Sequence, residues 1–206
     1  HNFSAVCIAI EAGIPVLWWG APGIGKTART TAYGRATKRH TEVLIASLRE
    51  PMDFLGLMVR DGDRTLTLPP DWALELSEVG RGLAIFDELS NSPPLIQGAV
   101  LRIIHEHHVG RLKLPDTVAM VGLANPPEQA TGGWDLAAPL ANRFLHIETG
   151  ADASAYVNGM LGGWPDPEPL TLPASWLSHI PTERAKVASF IKARPQLLLV
   201  VPSDAG

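Results

Sequence analysis

The 206-residue chain has one cysteine, Cys7. With no second thiol, an internal disulfide and a cysteine-based zinc site are both excluded. That usage fits a reducing compartment, and a cytoplasmic location is expected. Long apolar runs are missing as well. Leu197 to Val201 is short beside the roughly 18 residues that a membrane helix needs, so no membrane association is expected. Charge is sparse: acidic and basic residues make up 18% of the chain, and the net charge is −4. No basic run is present, which counts against nucleic acid as a partner. Apolar residues, at 46%, are still numerous enough for a packed core. The length suits one domain, or one domain plus a small appendage.

The apolar pattern alternates between short runs and helical spacing. Phe3 to Ala12 carries Val6, Cys7, Ala9 and Ile10 at helical spacing, with Gly13 as a stop. Pro15 to Trp19, bounded by glycines, predicts a buried strand, and Trp18 and Trp19 are expected in the core, one per face. Thr27 to His40 predicts a helix with a basic C-terminal end, and Glu42 to Ser47 a second strand. Arg49 to Leu68 is less regular, with a turn at Asp61-Gly62-Asp63. Helices are predicted over Asp71 to Val79 and Pro94 to Glu106, and strands over Leu83 to Phe86, Thr117 to Leu123 and Phe144 to Ile147. Strands alternating with helices imply a parallel α/β sheet covered on both faces. After Gly150 the chain turns to Pro-rich loops and short helices, Glu183 to Lys192 and Gln196 to Val200. The division expected is a core at residues 1–150 and an appendage at 151–206. Opening on His1 and ending in Pro202 to Gly206, the sequence is expected to be a piece of a longer protein.

One segment carries a specific chemistry. Gly20-Ala21-Pro22-Gly23-Ile24-Gly25-Lys26-Thr27 fits G-x-x-x-x-G-K-[ST], with an apolar strand before it and a helix after it. Glycines let backbone N–H groups turn inward around phosphate oxygens, in conformations that a side chain would block. Lys26 is expected to reach the β- and γ-phosphates, and Thr27 to offer its hydroxyl to Mg2+. The helix that follows adds its positive N-terminal end. A second segment, Leu83-Ala84-Ile85-Phe86-Asp87-Glu88, sets two carboxylates at the C-terminal lip of a buried strand. Asp87 is expected to hold the metal through its water shell, and Glu88 to orient or deprotonate an attacking water.

Absences narrow the class. An N-K-x-D base-reading motif is lacking, which counts against a GTPase. Asp53-Phe54-Leu55-Gly56 matches D-x-x-G, but it follows Glu50-Pro51 rather than an apolar strand. His105-Glu106-His107-His108 lacks the spacing of a zinc protease, since Val109 stands four after His105. Histidines there suit the end of a helix. Trp134, Trp164 and Trp176 lie in loop-like segments, where they could be core or interface residues.

Taken together, these segments resemble the AAA+ ATPases, and more closely their MoxR-like branch, from about Val16 to Phe144 and weakly to the end. The resemblance implies a five-stranded parallel sheet sandwiched by helices and followed by the start of a helical lid. Gly20 to Thr27 looks like Walker A and Leu83 to Glu88 like Walker B. Val118 to Ala124, ending in Asn125-Pro126-Pro127, is similar to the sensor 1 strand, where Asn125 would align water against the γ-phosphate. Leu140 to Phe144 looks like the arginine-finger segment, in which Arg143 would reach a neighbouring subunit's nucleotide. Arg49 to Gly56 is similar to the segment that MoxR-like proteins carry near an insert facing the ring centre or its partners. A sensor 2 arginine is not identifiable; neither Arg184 nor Arg194 sits in a recognisable motif. The resemblance thus implies ATP and Mg2+ as cofactors, ATP hydrolysis and a homo-oligomeric, hexameric ring. It also implies a remodelled or activated protein client, such as a von Willebrand factor A domain protein. A nucleotide-gated binding switch with little turnover and a DNA-directed motor are the alternatives.

Overall fold

A computed structural model of the protein describes residues 2–129, 134–150, 152–163 and 166–197. The first element, α1 (Asn2–Glu11), is followed by strand β1 (Val16–Gly20), α2 (Lys26–Ala36) and β2 (His40–Ile45). The stretch expected to be irregular holds a short helix, α3 (Pro51–Leu55), and a hairpin of β3 (Leu57–Asp61) and β4 (Arg64–Leu68). β4 alternates over Thr65-Leu66-Thr67-Leu68, but β3 does not, and both strands stay largely exposed. Next come α4 (Asp71–Val79), β5 (Gly82–Asp87) and α5 (Pro94–Glu106). A two-residue ladder of β6 (His108–Val109) and β7 (Leu112–Lys113) leads to β8 (Ala119–Ala124). The unit closes with α6 (Ala138–Ala141), β9 (Leu145–Thr149) and α7 (Ala153–Gly162).

Strands β1, β2, β5, β8 and β9 pair as one sheet in the order β2-β5-β8-β1-β9. Every pairing in it is parallel. Side chains alternate across it, so each strand feeds two cores. Val16 and Trp18 of β1, Leu83 and Ile85 of β5, and Val121 and Leu123 of β8 pack with α1 and with Tyr33 of α2. Leu17, Ala84, Phe86 and Met120 pack on the other face, against α4, α5 and Phe54 of α3. Complete burial of each large side chain contributes about 1.5–3 kcal/mol. The near-continuous apolar character of β5 and β8, buried on both faces, is what such a sheet demands. Trp18 is buried, while Trp19 on the opposite face is half-buried.

The ends of α4 and α5 follow their sequence signals, whereas α2 stops at Ala36 and the predicted last helical residue, His40, instead opens β2. Asp71 opens α4 and Gly80, at φ 70°, closes it; Pro94 stands in the first turn of α5. Contacts divide the chain at Leu170, with His1–Leu170 in one unit and Thr171–Gly206 in the other. That division falls 20 residues beyond the expected boundary at 150 and leaves α7 with the sheet. The second unit is built on α8 (Trp176–Ala193), longer than the predicted Glu183 to Lys192, with Pro181 in its interior and no buried residue. Of the helix predicted over Gln196 to Val200, a single 3-10 turn, Pro195–Leu197, is seen. Leu198 to Val200 and Trp164 lie outside the described residues. Among the described residues, no helix is long and apolar enough to cross a membrane.

Candidate nucleotide site

The strand order decides which loops meet. β8 lies between β1 and β5, so the residue after β8 sits between the loop after β1 and the acids after β5. The C-terminal ends of parallel strands are where open α/β sheets bind ligands. Gly20, Asp87 and Asn125 come together there from three chain segments.

Gly23 at φ 78° and Gly25 at φ 83° hold the left-handed conformations that curl the loop from Ala21 into α2. Gly20 has a different role: a Cβ there would strike the Ile24 side chain and press on the Thr149 carbonyl. Gly25 is the N-cap of α2, so the helix begins at Lys26 with its free N–H groups and positive end facing the loop.

Lys26 is 8% exposed. Its Nζ donates to Gly20 O at 2.7 Å, Ala21 O at 3.1 Å and Asn125 Oδ1 at 2.9 Å. Burial holds the ammonium below its ordinary range, against the opposing pull of Asp87. Thr27 Oγ1 donates to Asp87 Oδ2 at 2.6 Å, and Asp87 Oδ1 accepts the Glu88 N–H at 2.8 Å. A hydroxyl and a carboxylate in contact beside a phosphate-sized loop are the oxygen donors that Mg2+ takes together with water and substrate phosphates. Thr27 and Asp87 therefore fit that ion. Asn125 is fixed from behind: its N–H donates to Ser90 Oγ at 3.3 Å, and Ser90 Oγ lies 3.4 Å from its carbonyl.

Glu88 is exposed and stands at φ 54°, ψ 34°. A left-handed glutamate costs about 1 kcal/mol or more, and such outliers gather at functional sites. Its Oε2 accepts from Ser47 Oγ. Ser47 lies in the 3-10 turn Ala46–Leu48 that follows β2. Sequence reasoning passed over this serine, because its place depends on the non-local pairing of β2 with β5. Once Ile45 is known to pair with Asp87, the turn after β2 must lie beside Glu88.

Arg143 is apart from this group. It occupies the exposed turn between α6 and β9. The start of β9 pairs with Val16, whereas Gly20 pairs with Thr149. Arg143 thus lies near the far end of β1, about 13 Å along the strand from the glycine loop at 3.3 Å per residue. Among the described residues no carboxylate pairs with its guanidinium. A link runs toward it: Trp19 stacks on His146 and donates to its Nδ1 at 3.0 Å, while His146 Nε2 lies 2.8 Å from Ala141 O. A neutral imidazole with its hydrogen on Nε2 satisfies both contacts.

A cleft of about 1030 Å³ adjoins the glycine loop, lined by Gly23, Ile24 and Gly25, by Arg29 and Arg35 of α2, and by Tyr156 and Gly159 of α7. It is roomy enough for a nucleotide-sized ligand. The histidines at the end of α5 do not converge: His105 is exposed, and His108 Nδ1 lies against Glu106 O. Trp134 is 48% exposed and Trp176 half-buried.

No family model matches the chain, and no curated protein does. A solved structure does match. The crystal structure of a Cytophaga hutchinsonii protein, provisionally described as an ATPase, aligns at a TM-score of 0.56 and 22% identity. The alignment covers 77% of this chain and 48% of the other, so the chain spans about half the length of that neighbour. At this identity the likeness shows the fold alone: an all-parallel five-stranded sheet flanked by helices.

Proposed function

We propose that the chain binds ATP with Mg2+ and hydrolyses it, as an AAA+ ATPase of MoxR-like type. The observation that carries the reading is the meeting of Lys26, Thr27, Asp87 and Asn125, within hydrogen-bond distance, at the end of the glycine loop. The neighbour's description as an ATPase supports the same reading.

ATP enters with its phosphates in the loop from Gly20 to Gly25, where the inward N–H groups and the α2 N-terminus meet the negative charge. Lys26 exchanges its carbonyl partners for phosphate oxygens. Thr27 and Asp87 would hold Mg2+, which would supply positive charge to the phosphate oxygens. Asn125 orients the attacking water, and Glu88, released from Ser47, takes a proton from it. The water oxygen bonds to the γ-phosphorus as the bond to the β,γ-bridging oxygen breaks, and the product is ADP and phosphate. Arg143, remote from its own loop, serves the nucleotide of the next subunit in a hexameric homo-oligomeric ring. Turnover is used on a protein client, of which a von Willebrand factor A domain protein is one candidate.

Glu88→Gln separates hydrolysis from a binding switch. ATP binding is expected to persist while steady-state phosphate release falls by about 10²-fold or more. Unchanged turnover would remove Glu88 from the mechanism. Negligible turnover in the unsubstituted full-length protein, with client binding that follows ATP occupancy, would establish the switch.

A further inference from the structure

A second cluster of metal-binding side chains lies away from the nucleotide site, on the edge strand of the sheet. His40 and Glu42 stand two apart on β2, so the pleat puts them on one face, and Glu75 reaches them from α4. His40 Nε2 lies 2.8 Å from Glu42 Oε1 and 3.2 Å from Glu75 Oε2. Both carboxylates thus converge on one imidazole nitrogen, which carries at most one hydrogen. That nitrogen lies within hydrogen-bond distance of Glu42, while Glu75 approaches it without forming a hydrogen bond. Two anions aimed at a nitrogen with one hydrogen to give leave a place for a cation where the three meet.

We propose that His40, Glu42 and Glu75 form a transition-metal site that takes Zn2+ in preference to Mg2+ or Ca2+. One imidazole nitrogen and two carboxylate oxygens suit zinc, whereas the hard cations prefer oxygen alone. Tetrahedral zinc, with bonds of about 2.0–2.1 Å, sets its ligand atoms about 3.3–3.4 Å apart. The ligand atoms here all fall within 4.8 Å of one another. Opening the 2.8 Å His40–Glu42 contact by about half an ångström, with the two carboxylate oxygens brought to the same spacing, admits the ion, and water completes the fourth position.

The site is separate from the proposed magnesium position. His40 pairs with Gly82, and Ile45 pairs with Asp87. The cluster therefore sits towards the other end of the same strand pair, about 10 Å (Glu42) to 16 Å (His40) along it from Asp87 at 3.3 Å per residue. Zinc there ties β2, an edge strand, to α4 and stabilises the folded chain by binding it alone.

The test titrates the full chain, stripped of metal by a chelator, with zinc chloride by calorimetry. Co2+ follows as a replacement whose visible absorption reports tetrahedral coordination. One equivalent of zinc is expected to bind and to raise the melting temperature, and a Thr27→Ala/Asp87→Ala variant is expected to keep both effects. His40→Ala is expected to lose them. Glu75→Gln, at a side chain 55% exposed and so harmless to folding, is expected to weaken binding about tenfold or more. The proposal is overturned if the unsubstituted chain binds no zinc, or if affinity is unchanged in Glu75→Gln. Zinc binding that disappears with His105→Ala and His108→Ala instead would overturn it equally.

Discussion

Lys26 directs its ammonium at three oxygens of the chain itself. An ammonium so buried is stable only because every donor has an acceptor. In the proposed complex, phosphate oxygens would replace those neutral acceptors with negatively charged ones. Glu88 is held in a comparable way, by Ser47 and by an unusual backbone conformation. Lys26 and Glu88 were both singled out as candidates from the sequence, because the motifs that contain them are local. Ser47 was not, because no local pattern marks a serine that becomes important through a strand pairing. The same scale predicts the behaviour of Cys7. It is 4% exposed, and burial pushes its thiol up to about 12. Since the thiolate is the reactive form, Cys7 should resist an alkylating reagent in the native protein at neutral pH. It should label fully in denaturant, as mass spectrometry would record. Rapid native labelling would show that α1 opens from the sheet.

Among the elements, those with strong periodicity were read to their ends. The predicted limits of α4 and α5 coincide with the observed ones, since each has an apolar stripe and a Pro or Gly marking an end. The β3–β4 hairpin was missed although β4 alternates over Thr65-Leu66-Thr67-Leu68, because its partner β3 does not and neither strand has a fully buried residue. The limits of α8 were misplaced for a related reason: with no buried residue, nothing in its pattern records a packing face. The C-terminus of α5 supports a pH prediction. His107 caps it at φ 53°, and its buried Nδ1 has no hydrogen-bond partner among the described residues. Burial holds this imidazole below its ordinary 6.5, with Lys113 and His108 adding to the effect and Asp116 opposing it. The unfolded chain therefore binds a proton near pH 6.5 that the folded chain refuses until lower pH. Stability should fall as pH drops from about 6.5 towards the lower folded value, and level out below it. His107→Asn tolerates the left-handed cap and should flatten that slope, measured as urea midpoints at about pH 7.5 and about pH 5.5. An equal slope in both proteins would assign the acid sensitivity to other groups.

For the whole molecule, the separation of Arg143 from the glycine loop is the decisive feature. An arginine near the far end of β1 cannot serve its own phosphates without a large rearrangement, yet it is exposed and free of carboxylate partners among the described residues. Its assignment to a neighbouring subunit predicts a full-length protein whose solution mass rises on adding ATP. Arg143→Ala should retain nucleotide binding and lose turnover by about 10³-fold or more. A strict monomer with undiminished turnover would contradict the ring. The sheet order, β2-β5-β8-β1-β9, was the part of the architecture least legible beforehand. Parallel pairing joins residues far apart in the chain, and the sequence marked only which runs were strands.

All of these readings depend on phosphate binding at the loop from Gly20 to Thr27. The most direct measurement is the equilibrium affinity of the chain for ATP with Mg2+, compared with Lys26→Ala at unchanged far-ultraviolet circular dichroism. Saturable binding of one nucleotide is expected, weakened about tenfold or more (about 1.4 kcal/mol) by the substitution. Equal affinity in the two proteins, or no binding by a folded chain, would contradict the account.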